Sequence, residues 1–222
     1  MKTVAIIPAF NEEKTLGGVI SDLKKYVNQI IVIDDGSTDK TNQIARSKNI
    51  KIYRHLINRG LGGVLKTGIE AALQNGADII ITIDADGQHD PSEIPKLIKP
   101  IIEQKADAVI GSRFLTRQPM PLFRRVGNIF FNFVTFFLFG AKTTDSQSGM
   151  RAFSKKGAQS LEIHSNGMEV SSEILKEIKI KKIRMKEVPI KSIYTDYSLS
   201  KGQGLLPGIK TLIKILWSLF NF

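Results

Sequence analysis

The feature that most constrains the fold of this 222-residue chain is an alternation between short β-branched runs and longer segments with helical periodicity. The runs cover residues 3–7, 29–33, 50–53, 78–83 and 107–110. Strands that alternate with helical segments are typical of an α/β fold, in which a mostly parallel central sheet is flanked by helices. Ligands of such sheets bind beyond the carboxyl ends of the strands, so we expect functional residues directly after the runs.

Polar sequence follows four of these runs. The segments are Pro-Ala-Phe-Asn-Glu at 8–12, Asp-Asp-Gly-Ser-Thr-Asp at 34–39, Asp-Ala-Asp-Gly-Gln-His-Asp-Pro at 84–91 and Gly-Ser-Arg-Phe at 111–114. Because the strands are predicted to run parallel, all four segments should lie at one edge of the sheet. The sequence therefore predicts one binding site built from several strand ends.

Asp84 and Asp86 are the strongest candidates for chemistry. Two carboxylates two residues apart at a strand end can hold one hard divalent cation, and Gln88 adds a neutral oxygen. We therefore predict a site for Mg²⁺ or Mn²⁺ at Asp84, Asp86 and Gln88, with substrate phosphates as further ligands. The alternative for an isolated Asp-x-Asp pair is an acidic turn without chemical meaning. His89 is a weaker candidate, because these cations prefer oxygen ligands.

Other residues near the strand ends have competing structural roles. Asp90 precedes a proline and is expected to cap a helix. Asp34 or Asp35 is well placed to accept hydrogen bonds from a ribose or a base; the alternative is a turn that leads into the next helix, and both can hold with different aspartates. Residues 58–68 are rich in glycine but match neither the phosphate-loop nor the dinucleotide pattern, so Gly60 and Gly62 predict only a helix N-terminus open to an anion.

The charge of this chain is concentrated in its second half. Residues 1–111 contain 14 basic and 14 acidic side chains, whereas residues 112–222 contain 18 and 7, which accounts for the net charge of +11. This asymmetry indicates an anionic partner, either nucleic acid or an acidic membrane surface, unless the basic face serves only solubility. The absence of cysteine excludes disulfides, thiolate metal sites and a cysteine nucleophile. The N-terminus does not have the pattern of a secretory signal peptide.

Two segments of the basic half are apolar. Residues 122–139 hold seven of the twelve phenylalanines, and the uncharged stretch 126–141 is sixteen residues long. Because a spanning helix needs about 18–20 apolar residues, we expect this helix to be buried or to lie in a membrane interface. Residues 205–222 place apolar side chains at helical spacing and predict an amphipathic helix.

Five motifs together resemble family-2 glycosyltransferases of the dolichyl-phosphate mannosyltransferase and glucosyltransferase type. Four are the strand-end segments above, and the fifth is Asp-Ser-Gln-Ser-Gly-Met-Arg at 145–151. They occur in the family's order, and the resemblance covers residues 3–205. It implies a GT-A fold with Rossmann-like nucleotide-sugar binding and a metal-dependent, inverting transfer of a hexose. The donor would be a UDP- or GDP-sugar and the acceptor a polyprenyl or dolichyl phosphate.

The resemblance also implies roles for individual residues. The nucleotide-sugar site would comprise Pro8, Phe10, Glu12, Ile33, Asp35, Asp84, Ala85, Asp86, Gln88 and Arg113. The catalytic residues would be Asp86, Arg113 and Lys201, and the acceptor site would comprise Ser148, Arg151, Ser200 and Lys201. Phe10 stands where the family usually has tyrosine, and the arginine of the family's basic C-terminal loop has no assigned counterpart here.

We expect one domain over residues 1–222. Its parts would be a donor half at 1–114, an acceptor half at 115–204 and a membrane-proximal helix at 205–222. The enzyme would be cytoplasmic and attached peripherally to the cytoplasmic face of a membrane. A lipid phosphate is already anionic at neutral pH and needs no general base. The first alternative is transfer to a sugar or protein hydroxyl, with Glu173 or Asp145 as base. The second is a basic nucleic-acid-binding module, but no such motif is present and no nucleic-acid partner is expected.

Overall fold

The structure, a computed structural model, describes residues 1–116, 118–194, 197 and 205–217. Within these residues, seven strands form one sheet in the order β3-β2-β1-β4-β6-β5-β7. The strands are β1 Thr3–Ala9, β2 Gln29–Asp34, β3 Lys51–Arg54, β4 Ile79–Thr82, β5 Ala108–Ser112, β6 Arg151–Ser154 and β7 Met185–Pro189. The helices are α1 Leu16–Leu23, α2 Thr41–Ser47, α3 Gly60–Gln74, α4 Ile94–Ile102, α5 Leu122–Phe139, α6 Lys155–Ser160, α7 Val170–Ile180 and α8 Leu205–Trp217.

All five predicted runs are strands, and they run parallel to one another. β1 pairs in parallel with β2 and β4, and β2 pairs in parallel with β3. β6 is antiparallel to both β4 and β5, so β5 again runs in the direction of β4. The predicted mostly parallel sheet is therefore confirmed, and the polar segments after β1, β2, β4 and β5 lie at one edge.

Two strands were not predicted from the sequence. β6 has the sequence Arg-Ala-Phe-Ser, which contains no β-branched residue, and β7 at the sheet edge contains one, Val188. Both are strands because of their neighbours, since β6 fills the gap between β4 and β5 and β7 pairs with β5. β-Propensity depends strongly on such context.

The core lies on both faces of the sheet, as alternation of side chains along a strand requires. In β1, Ala5 and Ile7 pack on the face covered by α1 and α4, whereas Val4 and Ile6 pack on the face covered by α3 and α7. Both faces are therefore closed by helices, and the carboxyl edge of the sheet remains for binding.

Helix α5 contacts the domain with only one face. Phe131 and Val134 pack against Ile215 of α8, and the buried Thr135 hydroxyl lies 2.9 Å from that of Ser172 on α7. The other face is exposed and consists of Leu122, Phe123, Val126, Ile129, Phe130, Phe133, Phe136 and Phe137. By length and composition, α5 is long and apolar enough to cross a membrane, with a mean hydropathy of 1.3, and no other described helix is.

The predicted C-terminal helix is present as α8. Ile215 is buried on its inner side, whereas Lys210 and Lys214 are exposed. Lys214 Nζ lies 3.7 Å from a carboxylate oxygen of Glu169. Residues 218–222 of the predicted segment lie outside the described residues.

Candidate active site

The carboxyl edge of the sheet brings together side chains that are far apart in the sequence. Asp84 and Asp86 follow β4, and Arg113 follows β5. Because β6 is antiparallel, its first residue, Arg151, pairs with Thr82 at the end of β4. The Thr82 hydroxyl donates a 2.8 Å hydrogen bond to the carbonyl of Gly149. Segment 145–151 therefore lies directly beside the acidic pair.

Asp84 lies against the backbone of that segment. A Cβ atom added to Gly149 would lie 2.1 Å from Asp84 Oδ2, so glycine is the residue that leaves space for the carboxylate. His89 Nε2 lies 3.2 Å from the same oxygen, and the His89 side chain is only 3% exposed. Burial raises the pKa of the Asp84 carboxyl, but His89 and the charges of Arg151 and Arg113 outweigh this effect, and the pKa lies below its usual value.

Asp86 is held by Gln88. The Gln88 backbone N–H donates a 2.9 Å hydrogen bond to Asp86 Oδ1, and its side-chain amide donates to Oδ2. The amide oxygen of Gln88 accepts a 2.8 Å hydrogen bond from Arg124 in the first turn of α5. Burial, and then the negative charge of Asp84, raise the pKa of the Asp86 carboxyl.

The acidic pair fits a divalent cation. The charge of Asp84 disfavours ionisation of Asp86, and a bound cation would remove this repulsion. The described residues contain no group of three or more His, Cys, Asp and Glu side chains that could hold a metal ion. Two carboxylates are nevertheless sufficient for Mg²⁺ or Mn²⁺ when water and substrate phosphates complete the coordination.

Arg113 forms a buried ion pair with Asp145. Its Nε and Nη2 atoms each lie 2.7 Å from a carboxylate oxygen, and its backbone N–H donates to Oδ2 at 3.0 Å. The Asp145 side chain is 0% exposed and that of Arg113 is 10% exposed. Burial lowers the pKa of the Arg113 guanidinium, but Asp145 outweighs this effect and raises it. The pair fixes a positive charge near Asp84.

The residues predicted to bind the acceptor are buried where they are described. Arg151 is 2% exposed, and its Nη2 donates a 3.0 Å hydrogen bond to the carbonyl of Ser146. Burial lowers the pKa of Arg151 to about 10, although the charges of Asp84 and Asp145 oppose this shift. Ser148 is 0% exposed and accepts from the N–H of Met150 at 3.3 Å. Ser200 and Lys201 lie outside the described residues.

The predicted nucleoside residues surround the ends of β1 and β2. Phe10 is 44% exposed, so its ring is accessible to a base, whereas Ile33 is fully buried. The carboxylate of Glu12 accepts 3.0 Å hydrogen bonds from the hydroxyls of Thr15 and Tyr197. Pro8 is partly buried and Ala85 is 3% exposed. The roles of these residues in binding stay predictions.

The two aspartates after β2 have different contacts. Asp34 forms the predicted turn, because its Oδ1 accepts a 2.9 Å hydrogen bond from the N–H of Ser37. Asp35 Oδ1 lies 2.7 Å from His55 Nδ1 and accepts from the N–H of Arg59, and its Oδ2 accepts from the N–H of Gly60 at 2.8 Å. The carboxylate therefore anchors the loop that leads into α3. His55 was not identified from the sequence.

The N-terminus of α3 is not open to an anion, so that prediction was wrong. The N–H of Gly60 donates to Asp35, and the N–H groups of Gly62 and Gly63 donate to the carbonyl of Asn166 at 2.8 and 3.5 Å. A Cβ atom at Gly62 would lie 1.9 Å from the carbonyl oxygen of Ser165. The glycines therefore allow two backbone segments to approach closely. Asp90, by contrast, caps the turn Pro91–Glu93 as predicted, accepting from the N–H of Ser92 at 2.9 Å.

The two carboxylates considered as general bases have structural partners. Asp145 is held by Arg113, and Glu173 is 7% exposed and accepts from the N–H groups of His164 and Ser165. One further residue beside Asp84 was not assigned an individual role from the sequence. It is Gly149, and only its spatial proximity to the Asp84 carboxylate identifies it.

Comparisons with known proteins agree with this geometry. The sequence model of glycosyl transferase family 2 matches residues 4–161. An uncharacterized protein of Methanocaldococcus jannaschii is 47% identical over 95% of this chain and 89% of its own length. The UDP-N-acetylglucosamine–dolichyl-phosphate N-acetylglucosaminyltransferase of Methanococcus voltae is 40% identical over 95% of this chain and 93% of its own length.

A solved structure has the same fold. Glucosyl-3-phosphoglycerate synthase from Mycobacterium tuberculosis, in complex with Mn²⁺, UDP-glucose and phosphoglyceric acid, superimposes with a TM-score of 0.78 at 18% identity. The match covers 99% of this chain and 79% of that one. It confirms the predicted GT-A fold.

Proposed function

We propose that this chain, which belongs to glycosyl transferase family 2, transfers a sugar from a nucleoside diphosphate sugar to a polyprenyl phosphate at a membrane surface. The observation that carries the proposal is the meeting of three groups at one edge of the sheet. They are the acidic pair Asp84 and Asp86, the fixed cation Arg113, and the first turn of the exposed Phe-rich helix α5.

The donor site is supported by the first half of the chain. Phe10 offers an accessible ring for stacking on a base, and the acidic pair is suited to a cation that carries a diphosphate. The Methanococcus voltae relative is named for UDP-N-acetylglucosamine, and the Mycobacterium tuberculosis enzyme was solved with UDP-glucose. UDP-N-acetylglucosamine is therefore the first donor to test.

The chemical demand of the reaction is stabilisation of the negative charge that develops on the departing nucleoside diphosphate. Mg²⁺ or Mn²⁺ held by Asp84 and Asp86 would supply Lewis-acid stabilisation of that charge. Arg113 adds a fixed positive charge, because Asp145 holds its guanidinium in one orientation beside Asp84. Such preorganised charge needs no rearrangement as the bond breaks.

A phosphate acceptor is favoured over a hydroxyl. A phosphomonoester has a second pKa of about 6, so it is largely dianionic at neutral pH and acts as nucleophile without a base. A hydroxyl would need one, and the two candidates, Asp145 and Glu173, are buried and already accept hydrogen bonds from protein groups. Direct attack by the phosphate oxygen in a single displacement would invert the anomeric centre.

Attachment to a membrane surface is supported by α5. Its exposed face includes Phe133 and Phe137, which are 63% and 75% exposed, and it begins next to the acidic pair. The excess of 18 basic over 7 acidic side chains in residues 112–222 favours a surface of acidic lipids. We infer peripheral binding at the cytoplasmic face, where the phosphate of a membrane-embedded acceptor would reach the carboxyl edge of the sheet.

The direct test is transfer of radiolabelled sugar in detergent micelles. Donors are UDP-N-acetylglucosamine, UDP-glucose and GDP-mannose, and acceptors are dolichyl phosphate and dolichol, which differ only in the phosphate. We expect lipid-linked product with Mn²⁺ or Mg²⁺ from dolichyl phosphate and none from dolichol. Transfer to dolichol at an equal rate would contradict the phosphate acceptor.

The metal assignment is tested with two aspartate variants. Asp86→Asn should reduce transfer by at least about 100-fold, the scale of losing one electrostatic contact to developing charge. Asp22→Asn is the matched control, because Asp22 is 61% exposed on α1 and pairs only with Lys25 at 3.5 Å among the contacts described. Undiminished transfer by Asp86→Asn would contradict the assignment.

A further inference from the structure

We infer that three lysines at the C-terminal end of α5 bind the headgroups of acidic phospholipids and hold this helix flat on the membrane surface. They are Lys142, Lys179 and Lys182, and they line one open groove, named here the lysine groove. It is a second point of attachment, because the acidic pair lies near the other end of α5. The inference rests on the proposed function, since attachment of α5 to a membrane is part of it.

The lysine groove has an apolar floor and a basic rim. It lies where α7 ends beside the segment that follows α5, and its volume of about 510 Å³ is within the range of small-molecule sites. Its apolar lining residues are Ala141, Leu175, Ile178, Ile183 and Met185. The three lysines are exposed, and the lining residues, which all belong to the described part of the chain, include no aspartate or glutamate. An anionic head on an apolar body matches this chemistry.

The charges of the three lysines are not balanced by the protein. None of them forms an ion pair with a carboxylate of the described residues, whereas the neighbouring Lys181 lies 2.6 Å from a carboxylate oxygen of Glu162. α5 and α7 both end beside the groove, and the C-terminus of a helix carries about half a negative charge. Two helix ends therefore offset only about one of the three positive charges. The groove stays positive and attracts an anion.

The lysine groove continues the exposed apolar face of α5. Phe136 and Phe137, in the last turn of that helix, are 46% and 75% exposed, and Gly140 already lines the groove. Nζ of Lys176 on α7 lies 5.8 Å from the centre of the Phe139 ring. Headgroups bound in the groove would therefore lie beside phenylalanine rings that enter the same membrane surface.

Attachment at the lysine groove determines how α5 meets the membrane. Its 18 residues span about 27 Å, close to the thickness of the hydrocarbon core, so length alone permits a spanning helix. Thr135 and Phe139, however, contact α7 of the folded domain. Because the lysines of that domain bind headgroups at the C-terminal end of α5, this end stays at the surface from which the domain projects. The helix then lies parallel to the membrane, and the acidic pair lies at headgroup level.

The test measures co-sedimentation with vesicles at 0.1 M salt, where the screening length is about 10 Å. A lysine close to an acidic membrane surface strengthens binding by about five-fold. The groove variant, with Lys142→Gln, Lys179→Gln and Lys182→Gln together, should therefore bind vesicles of phosphatidylcholine and phosphatidylglycerol about 100-fold more weakly than wild type. Binding to phosphatidylcholine alone should stay unchanged. Wild-type affinity of the groove variant for the acidic vesicles would overturn the inference.

The matched control removes the same charge from the donor half. It carries Lys25→Gln, Lys40→Gln and Lys51→Gln, at three exposed positions, and should bind the acidic vesicles like wild type. Equal losses in both triple variants would mean that net charge alone explains binding, and the inference would then be wrong. Release of wild-type protein by millimolar inorganic phosphate at constant ionic strength would assign the groove to free phosphate and contradict a lipid.

Lys182→Gly separates loss of charge from loss of folding. Lys182 has a φ of 52°, a left-handed conformation that favours glycine, so this variant should melt no lower than wild type. Its binding to the acidic vesicles should be about five-fold weaker. Wild-type vesicle binding by this folded variant would count against a role of Lys182.

Sugar transfer in detergent micelles separates this inference from the proposed function. Because such micelles contain no acidic phospholipid, the groove variant should transfer sugar to dolichyl phosphate as fast as wild type. Loss of transfer by the groove variant would assign the lysines to the reaction and overturn their role as a lipid site. Absence of transfer by wild-type protein that still binds acidic vesicles through the lysines would overturn the proposed function alone.

Discussion

Gly149 offers the sharpest test of the site geometry. A Cβ atom at this position would lie 2.1 Å from Asp84 Oδ2 and 2.6 Å from its Cγ and Oδ1. The added Cβ atom would therefore clash with the whole carboxyl group of Asp84, which is carried on a short side chain, and not with the end of a long flexible one. In Gly149→Ala, the carboxylate must retreat by about 1.3 Å to reach an ordinary van der Waals contact.

We expect Gly149→Ala to lower the catalytic efficiency of sugar transfer while the protein remains folded. A displacement of about 1 Å in a reacting group can reduce the rate about 100-fold, which corresponds to about 2.7 kcal/mol in kcat/KM. Insertion of one methyl group into a packed region typically costs about 1–3 kcal/mol of stability. A domain of ordinary stability, about 5–15 kcal/mol, survives that loss, so the variant should remain folded.

The assay compares kcat/KM for sugar transfer with the melting temperature. Gly18→Ala is the matched control, because a Cβ at Gly18 in α1 would meet nothing within 4 Å. Alanine in a helix should leave transfer unchanged and raise stability by roughly 0.5–1 kcal/mol. A folded Gly149→Ala variant with wild-type kcat/KM would refute the view that Asp84 must occupy this position for activity.

Three further predictions follow from the same structure. Asp145→Asn should lower the free energy of unfolding, measured by urea titration, by about 3–5 kcal/mol, because the buried charge of Arg113 loses its partner. A loss below about 1 kcal/mol would contradict this prediction. Phe137→Glu should reduce co-sedimentation with vesicles of phosphatidylcholine and phosphatidylglycerol at an unchanged melting temperature, whereas the control Ile102→Glu, on the exposed side of α4, should leave vesicle binding unchanged. Equal vesicle binding by both variants would argue against insertion of α5. EDTA should abolish sugar transfer and added Mn²⁺ or Mg²⁺ should restore it, and full activity in EDTA would refute metal dependence.

Much of the fold could be predicted because its signal is local. The β-branched runs of β1, β2 and β4 are buried on both faces of the sheet, and such strands are recognisable as continuous apolar sequence. β6 could not be predicted in this way, because Arg-Ala-Phe-Ser is too short and has no β-branched residue. It forms a strand only because the chain returns between β4 and β5.

The candidate site likewise contains some residues that a local sequence pattern identifies and others that only the structure identifies. The carboxylates Asp84 and Asp86 were identifiable because they stand two residues apart at a strand end, which is a local pattern. The partners Arg124 and Gly149 were not, since they lie 36 and 65 positions from Gln88 and Asp84 in the sequence. Contacts over such separations depend on the topology of the sheet and not on composition or periodicity.

The sequence by itself determined five of the seven strands, the polar segments that follow four of them and the concentration of positive charge after residue 111. Only the tertiary structure decided which of these groups meet. The antiparallel β6 brings Arg151 and Gly149 to the acidic pair, and the first turn of α5 brings Arg124 to Gln88. The physical reason is that hydrogen bonds and ion pairs act over a few ångströms in space, a distance that sequence spacing does not specify.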